Sequence, residues 1–537
     1  MLKRNGILDS LEPYYVTCLK RTYEGNLVPV DIPVILPHET INAIYDMSPL
    51  LFAHVILGGY GCAGLREFWE RSENEPWLPE HKFLSKIQDD PSHAAPLKLW
   101  GDKAPVTNSD SIFVVQFSSV LAAWISAAQS RLLTFCVTAG FLVSLSPLWE
   151  VIQWSLECAG AGEMPWERHD GGSFLESSIR FRKRGHNIAG NFFFPLAWIC
   201  GDMEFSVETF PWPWNYFKGD EICEVCHGVR DPLSFLCCYN FSWDSPWAAT
   251  FRSHILFMHE VGEKLVVCSL PGFHKSMVKG DLAHTLHLGP LQYLLGWLFR
   301  ELLEANEWQG PLTGAWHSRR GRQLRTAYRE FQSFCKLHKL EHSQPKFRLT
   351  KLGLHSMSDA PYFKAKAANT FTVCKWILAV QVRHTRANPG SRNDAKLATL
   401  WGYVHFADTC LAADIWLTDN DVLKLRRGRD IALFAHSQLV EDSARSGTYL
   451  FRNVPKHHKF DHIARDAVAS KLNPLASWCL ADESFIGKTV IMCKTVHGSV
   501  RSIRAVENYN LRFHTGMKSQ LATNRARQRA GLTVARL

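Results

Sequence analysis

Two hydrophobic patterns divide the chain. Between residues 97 and 202, short continuous apolar runs predict buried strands over 97–102, 111–118, 132–143 and 191–200, with an amphipathic helix over 146–157. From about residue 261 to 455 the apolar spacing becomes i, i+3, i+4, most strongly over 281–305, which predicts a block of helices. The sequence therefore predicts an α/β protein whose mixed-sheet core is interrupted by a large helical insertion.

The changes of pattern define the expected boundaries. We expect an N-terminal region of unknown role (1–95), the first part of the core (96–210), a cysteine-containing segment (211–260), the helical insertion (261–455), the return to the core with its last helix (456–511) and a basic tail (512–537).

Composition excludes several classes of protein. Hydrophobic residues make up 46% of the chain and charged residues 21%, which excludes a disordered chain and a coiled coil. The net charge of +9 permits a polyanionic partner without requiring one. No apolar run follows the basic N-terminus, so we expect no signal peptide, reduced cysteines and a nuclear or cytoplasmic location.

Two uncharged stretches raise the alternative of a membrane protein. Residues 111–130 and 132–149 are long enough to span a bilayer and are separated only by Arg131. Both contain Ser, Thr or Gln throughout, together with β-branched and aromatic clusters that are typical of buried strands. We therefore expect strands and no membrane partner.

Two Gly-Asp pairs follow predicted strands. Asp102 ends the first strand and Asp202 follows the strand over 191–200. Carboxylates that converge from neighbouring strands would form a site for Mg²⁺, which prefers oxygen ligands. The alternative is that both pairs are simple turns, since Gly and Asp favour turns for backbone reasons.

A third acidic candidate is Glu483. It follows Asp482 at the start of a segment, 482–496, that reads as an amphipathic helix. The alternative is that both acids only favour the first helical turn through the helix dipole.

The cysteine-containing segment provides two of the four ligands that a structural zinc site requires. Cys223 and Cys226 have the Cys-x-x-Cys spacing, which becomes a strong signal only with a second pair of ligands. Candidates for that pair are Cys237, Cys238, His254, His259, and His284 with His287; free buried cysteines are the alternative. A separate histidine cluster lies at residues 457, 458 and 462.

Asp281 precedes His284 and His287 at the start of the strongest predicted helix. It either caps that helix or contributes a ligand beside the two histidines.

Basic clusters provide candidate contacts to a phosphate backbone. They comprise Arg319, Arg320 and Arg322 in one group and Arg426 and Arg427 in another. Each cluster taken singly is also compatible with an ordinary solvated face.

The resemblance depends on chain order: the two Gly-Asp pairs, the Cys-x-x-Cys motif, the segment from Asp281 to His287, the histidines at 457 and 458, and the helix of Asp482 and Glu483. Read in that order, the motifs resemble the transposase-derived proteins of the CACTA and KDZ type, from about residue 97 to 511. The resemblance implies a ribonuclease-H-like core that cleaves and joins DNA strands, with Asp102, Asp202 and Glu483 holding two Mg²⁺ ions. Asp281 is a rival for the second acidic position. It further implies structural Zn²⁺ at Cys223, Cys226, His284 and His287, and a homo-oligomer among the partners.

One residue departs from the family pattern. Lys103 stands where such proteins usually have a small residue, so its ammonium is expected beside the metals, where it would either bind phosphate or mark a degenerate, inactive site. The alternative function is a non-catalytic, zinc-stabilised nucleic-acid-binding protein derived from a transposase.

Overall fold

The computed structural model describes residues 11–22, 24–212, 214, 219–310, 313–356, 360–448 and 450–529. The chain forms two compact units. Unit 1 comprises residues 1–213, 252–280 and 476–537, and unit 2 comprises residues 214–251 and 281–475. The end of the expected basic tail, 530–537, lies outside the described residues.

Unit 1 contains a hairpin and a five-stranded mixed sheet. The strands are β1 (Tyr14–Arg21), β2 (Leu27–Val34), β3 (Leu97–Pro105), β4 (Ser111–Ser119), β5 (Leu132–Thr138), β6 (Leu196–Gly201) and β7 (Val278–Lys279). The first two pair with each other, and the remaining five form a sheet in the order β5-β4-β3-β6-β7. Strands β3, β4 and β5 are antiparallel neighbours, whereas β6 is parallel to β3 and to β7. The expected mixed α/β fold is therefore present.

Helices accompany the sheet and form most of unit 2. The first group in unit 1 is α1 (Pro37–Met47), α2 (Pro49–Val55), α3 (Gly61–Arg71), α4 (Leu84–Asp89), α5 (Ala127–Ser130), α6 (Ser146–Ala161), α7 (Ile179–Arg182), α8 (Met203–Thr209) and α9 (His254–Glu260). Unit 2 contains α10 (Pro290–Glu304), α11 (Trp316–Leu337), α12 (Ala367–Ala387), α13 (Ser391–Ala412), α14 (Asp419–Arg445) and α15 (Pro455–Ser470). Unit 1 ends with α16 (Leu480–Cys493) and α17 (Arg501–Arg529).

The predicted strands of unit 1 are present with three differences. Strand β3 continues to Pro105, so Asp102 lies within it and does not end it as expected. Strand β5 ends at Thr138 rather than at residue 143, because Gly140 turns the chain with a φ of 72°. Strand β6 begins directly after Pro195, and the register of β3 and β6 shifts at that end, between Leu97 and Lys98. Proline is tolerated there because it precedes the strand and has no amide hydrogen to contribute.

The uncharged stretches form strands, as expected. Residues 111–130 contain β4 and α5, and residues 132–149 contain β5 and the start of α6. Within the part of the chain that the structure describes, no helix is both long and apolar enough to cross a membrane. Arg131, between the two stretches, is buried in the core of unit 1.

The insertion differs from the expected boundaries. Unit 2 takes in residues 214–251 with the Cys-x-x-Cys motif, and residues 252–280 return to unit 1, where they supply β7. Helix α15 also belongs to unit 2, although residues 456–511 were expected to rejoin the core. The sequence pattern did not reveal this double crossing, because strand β7 is only two residues long.

Candidate functional site

The register of two parallel strands brings two of the predicted acidic residues together. Gly101 on β3 pairs with Gly201 on β6, and the preceding residues Trp100 and Cys200 also pair. Side chains at paired positions of parallel strands lie on the same face of the sheet. Asp102 and Asp202 each follow one of these paired glycines: Asp102 lies within β3, which continues to Pro105, and Asp202 comes directly after the end of β6.

The glycines explain how the opposite face of the sheet is packed. A Cβ atom at either Gly101 or Gly201 would lie 2.1 Å from a ring carbon of Phe205 on α8. Phe205 thus covers both glycines, and its amide donates a 2.6 Å hydrogen bond to the Asp202 carboxylate, which caps the helix. Helix α8 therefore packs on the face of the sheet where the two glycines lack side chains, and the Asp102 side chain lies on the opposite face.

Helix α16 packs on the face of the sheet that carries Asp102. Trp100, two residues earlier and so on that face, donates its indole N–H to the Cys479 thiol at 2.8 Å. Lys98 donates to the Ala476 carbonyl at 2.7 Å. These bonds attach the chain just before α16 directly to β3.

The two acids at the start of α16 have different surroundings. Asp482 is buried and accepts hydrogen bonds from Gln116 at 2.7 Å and from the Arg131 guanidinium at 3.0 Å. Glu483 is only partly buried. Asp482 therefore anchors the helix to the core, so the helix-dipole alternative does not describe this residue, and Glu483 presents the third carboxylate in the first turn.

The three carboxylates do not form one compact cluster. Among the described residues, the groups whose metal-binding atoms all lie within 4.8 Å of one another do not include Asp102, Asp202 and Glu483 together. Paired catalytic metals lie about 3.5–4 Å apart, with Mg–O distances near 2.1 Å, so the outer ligands of such a pair can be about 8 Å apart. Carboxylate oxygens that do not all lie within 4.8 Å of one another are thus compatible with two Mg²⁺ ions.

Lys103 lies away from this face. Its register partner is Phe113, which stacks on Phe205, and its ammonium is 3.4 Å from the Glu208 carboxylate on α8. Strand alternation turns Lys103 towards α8 and Asp102 towards α16. The expectation that its ammonium lies beside the metals is therefore corrected.

The rival acid, Asp281, belongs to unit 2. Its carboxylate accepts hydrogen bonds from the backbone amides of Ala283 and His284 at 3.1 and 2.7 Å, and lies 2.6 Å from Nδ1 of His284. Asp281 thus has the capping role that was one of its two predicted roles.

Four ligand atoms converge in unit 2. Cys223, Cys226, His458 and His462 each offer one atom within 4.8 Å of the others. The Nε2 atom of His462 is 3.5 Å from the Cys223 sulfur and 3.1 Å from Nε2 of His458, and the Cys226 sulfur is 3.2 Å from His458. A tetrahedral Zn²⁺ ion with Zn–S near 2.3 Å and Zn–N near 2.05 Å separates its ligand atoms by about 3.3–3.8 Å. The observed spacing fits zinc.

Surrounding groups orient these ligands. Backbone amides of Val225 and Gly228 donate to the two sulfurs, and the Cys238 carbonyl is 3.1 Å from Nδ1 of His458. That last contact orients the imidazole so that Nε2 faces the sulfurs, as in many zinc sites. The buried Trp247 ring packs edge-on against both histidines and excludes water.

The electrostatics of the cysteine pair favour one thiolate. Burial opposes ionisation of Cys223, but the hydrogen bond from Cys226 and the nearby Lys459 ammonium hold its pKa well below the usual range. Donation of that hydrogen bond, together with burial, raises the pKa of Cys226. One negative sulfur is therefore stabilised before a cation arrives.

The second ligand pair differs from the expected one. His284 contacts Asp281, and His287 stacks on Phe371 with ring centroids 4.9 Å apart. Neither histidine belongs to the Cys223 cluster. His458 and His462 occupy consecutive turns of α15, so the H-x₃-H spacing was the signal in the sequence. It was noted only as a separate cluster, because more than 200 residues separate it from the cysteines.

A buried ion pair attaches the cysteine-bearing segment to the helices. Asp461, between the two histidine ligands, binds Arg429 of α14 at 2.7 Å, and neither side chain is exposed. Arg429 also donates to the Phe241 carbonyl, and Arg465 donates to Asp461 and to the Trp243 carbonyl. The helix that supplies the histidines is therefore held independently of any metal.

The predicted basic residues have different surroundings. Arg320 is partly buried and donates to the Leu303 carbonyl at the end of α10. Arg322 is exposed and Arg319 partly buried. Arg426 and Arg427 are exposed on α14, where their guanidinium groups lie 4.8 Å from the ring of Trp243 and 5.6 Å from that of Trp401, respectively.

Comparisons with known proteins do not identify the chain: no protein-family model matches it, and no match is found among curated proteins.

Proposed function

We propose that unit 1 has a ribonuclease-H-like core and that the protein is a transposase-like enzyme that cleaves and transfers DNA strands. The observation that supports the proposal is the in-register pairing of Gly101 with Gly201, since Asp102 and Asp202 each directly follow one of these glycines. Glu483 supplies a third carboxylate from a helix that is attached to the same face of the sheet.

The order of the elements supports this core. An antiparallel run of β3, β4 and β5 is followed by a helix, α6, that crosses to the parallel strand β6. Asp102 lies within the first strand of this sheet in chain order, Asp202 directly follows the fourth, and the third acid comes from a later helix. Independent elements thus converge on one end of the sheet, which is where α/β sheets commonly bind ligands.

The donor set suits magnesium. Asp102, Asp202 and Glu483 would hold two Mg²⁺ ions, which would supply Lewis-acid stabilisation of the attacking and leaving oxygens of a phosphodiester. The protein contributes positioning: the Phe205 amide orients Asp202, and the Asp482–Arg131 ion pair fixes the helix that carries Glu483. Rigid support of this kind reduces the reorganisation needed on substrate binding.

We further propose that unit 2 binds one structural Zn²⁺ through Cys223, Cys226, His458 and His462. Four protein ligands complete a tetrahedron and leave no position for substrate, which distinguishes a structural site from a catalytic one.

The alternative, a non-catalytic nucleic-acid-binding protein, is favoured by one observation. The exposed arginines Arg426 and Arg427 lie in unit 2, whereas the three acids lie in unit 1. Binding through unit 2 would therefore survive the loss of cleavage. The two functions make different predictions for variants of the acidic residues.

A nicking assay on supercoiled plasmid tests the proposal. We expect the full-length protein to nick DNA with Mg²⁺ or Mn²⁺, and Asp102→Asn to reduce the rate on the order of 10²–10³-fold or more. Glu208→Gln is the matched control, because this carboxylate pairs with Lys103 on the other side of β3. Metal-independent nicking, or equal activity of Asp102→Asn and the wild type, would contradict the proposal. DNA binding without nicking by the wild type would favour the alternative.

A further inference from the structure

Helices α13 and α14 present aromatic and cationic side chains on a common surface. Trp401 and His405, one turn apart on α13, stack with ring centroids 4.6 Å apart and an interplanar angle of 10°. Arg427 of α14 lies 5.6 Å from the Trp401 ring, and Lys424 is exposed one turn earlier. We call these four residues the Trp401 surface.

A close helix crossing explains why these side chains meet. A Cβ atom at Gly402 would lie 2.5 Å from the backbone nitrogen of Ala432, and one at Gly428 would lie 3.0 Å from the Gly402 carbonyl oxygen. The two glycines therefore bring the backbones of α13 and α14 together. Trp401 and Arg427 directly precede them, so the crossing sets the indole beside the guanidinium.

The cations of the Trp401 surface are available to a ligand. Within the described part of the chain, neither Arg427 nor Lys424 forms an ion pair, and the nearby Asp408 is 2.6 Å from Lys375. Burial and the positive charges of Arg427 and Lys424 lower the pKa of His405, so this ring is neutral near pH 7 and stacks as an aromatic group. The surface thus combines two aromatic rings with uncompensated positive charge.

Exposed apolar side chains extend the surface along α14. Leu423 is 65% exposed and Phe434 is 47% exposed. They lie four residues before and seven residues after Arg427, which places all three on one side of the helix. On this side of α14, Arg427 therefore lies between two exposed apolar side chains.

We propose that the Trp401 surface binds single-stranded DNA, with unpaired bases on the Trp401–His405 stack and phosphates on Arg427 and Lys424. Unpaired bases expose π-faces that stack on aromatic side chains, whereas a duplex offers mainly its phosphates. A cation between apolar groups matches a strand whose phosphates and bases alternate. The choice of DNA over RNA rests on the proposed function, but binding here requires none of the acids of unit 1.

Fluorescence anisotropy with a labelled 15-nucleotide oligothymidine and a duplex of equal length tests this proposal on the full-length protein. We expect Trp401→Ala to weaken single-strand binding roughly tenfold and to leave duplex binding unchanged. Trp401→Phe, which keeps an aromatic face, should retain most of the affinity. Arg427→Gln should weaken binding. It should also reduce the magnitude of the slope of log K against log[salt] by about 0.7.

The controls separate stacking from misfolding and from cleavage. Trp166→Ala removes an exposed tryptophan that lies near Arg184 in unit 1, and should change nothing. Asp102→Asn should bind the oligothymidine with the affinity of the wild type. If nicking is not observed but single-strand binding is, the proposed enzymatic function fails and the binding proposal stands. Unchanged single-strand affinity of Trp401→Ala, equal losses for strand and duplex, or tighter binding of oligouridine would overturn the proposal.

Discussion

The two candidate sites are built in different ways. In unit 1, Asp102 and Asp202 each follow a glycine of an in-register pair on neighbouring strands, and among the described residues they do not form with Glu483 a group within 4.8 Å. In unit 2, a cysteine pair and a histidine pair more than 200 residues apart close into a compact buried cluster, within which Cys223 and His462 lie 3.5 Å apart. One site is produced by sheet topology and the other by long-range closure of the chain.

This difference separates the roles that the proposed function gives to the two sites. An open set of hard oxygen ligands leaves coordination positions for water and substrate, whereas a closed set of sulfur and nitrogen ligands has none to spare. The proposed function therefore gives the reactive role to unit 1 and a structural role to the site in unit 2. The following predictions test this division, beginning with the largest expected effect.

Removal of zinc should damage unit 2 most. Zinc binding to four such ligands is coupled to folding with apparent free energies of about 10–16 kcal/mol in small domains. We expect one zinc per chain by elemental analysis, its loss in Cys226→Ala, and a large drop in the thermal stability of the variant.

His284→Asn is the matched control for this experiment, because His284 was expected to be a ligand and lies outside the cluster. It should retain zinc in full. Loss of zinc in His284→Asn with retention in Cys226→Ala would reverse the assignment of the ligands.

Each unit also contains a buried arginine–carboxylate pair that should be costly to break. Asp482→Asn in unit 1 would leave the buried Arg131 guanidinium without its counter-charge, whereas Asp461→Asn in unit 2 would leave Arg429 paired with Asp430 alone. We expect Asp482→Asn to lower the free energy of unfolding by about 3–5 kcal/mol, measured by denaturant titration, and Asp461→Asn to lower it by less. Replacing Arg131 and Asp482 together with apolar residues of similar size should recover much of the loss, whereas no recovery would indicate a further role for the pair.

Acid should destabilise unit 1 through His38. Burial lowers the pKa of His38 from 6.5 to about 4, so between these values the unfolded chain binds a proton that the folded chain does not. The free energy of unfolding should therefore fall as the pH falls from 6.5 to 4, by up to about 1.4 kcal/mol per pH unit from this group. His38→Gln should reduce that slope, and an unchanged slope would exclude His38 as its source.

The smallest effect is expected from the exposed pair of Lys103 and Glu208. Its side chains are 38% and 45% exposed, so solvent screens the attraction. Glu208→Gln should change the free energy of unfolding by less than about 0.5 kcal/mol. A loss of nicking in this variant would show that Lys103 contributes to the reactive face after all.

The sequence predicted β3, β4, β5 and β6 because each contains a short, continuous apolar run, but it did not predict β1, whose buried and exposed positions alternate, nor β2 or β7. Continuous apolar runs over 111–118 and 191–200 correspond to β4 and β6, which lie inside the sheet. The Gly-Asp pairs were noticed for the same reason, since each directly follows such a run. Their register could not be predicted, because it depends on the pairing of strands about 100 residues apart.

The sequence did not predict which distant residues contact one another. Local spacing identified Cys223 with Cys226, and separately the histidine pair on α15, but local spacing carries no information on which distant pairs meet. Likewise Arg131 looked like an interruption of an apolar stretch, and its role became clear only once Asp482 was found beside it. Buried charges require partners, yet the sequence does not say where those partners lie.

The central claim is that Asp102 and Asp202 share a divalent metal ion with Glu483 nearby. Anomalous diffraction from crystals grown with Mn²⁺ tests it most directly, because Mn²⁺ occupies oxygen-rich magnesium sites. We predict a manganese peak bound by oxygens of both aspartates, which disappears in Asp202→Asn. Manganese bound elsewhere in a crystal that shows no peak between these two carboxylates would contradict the account.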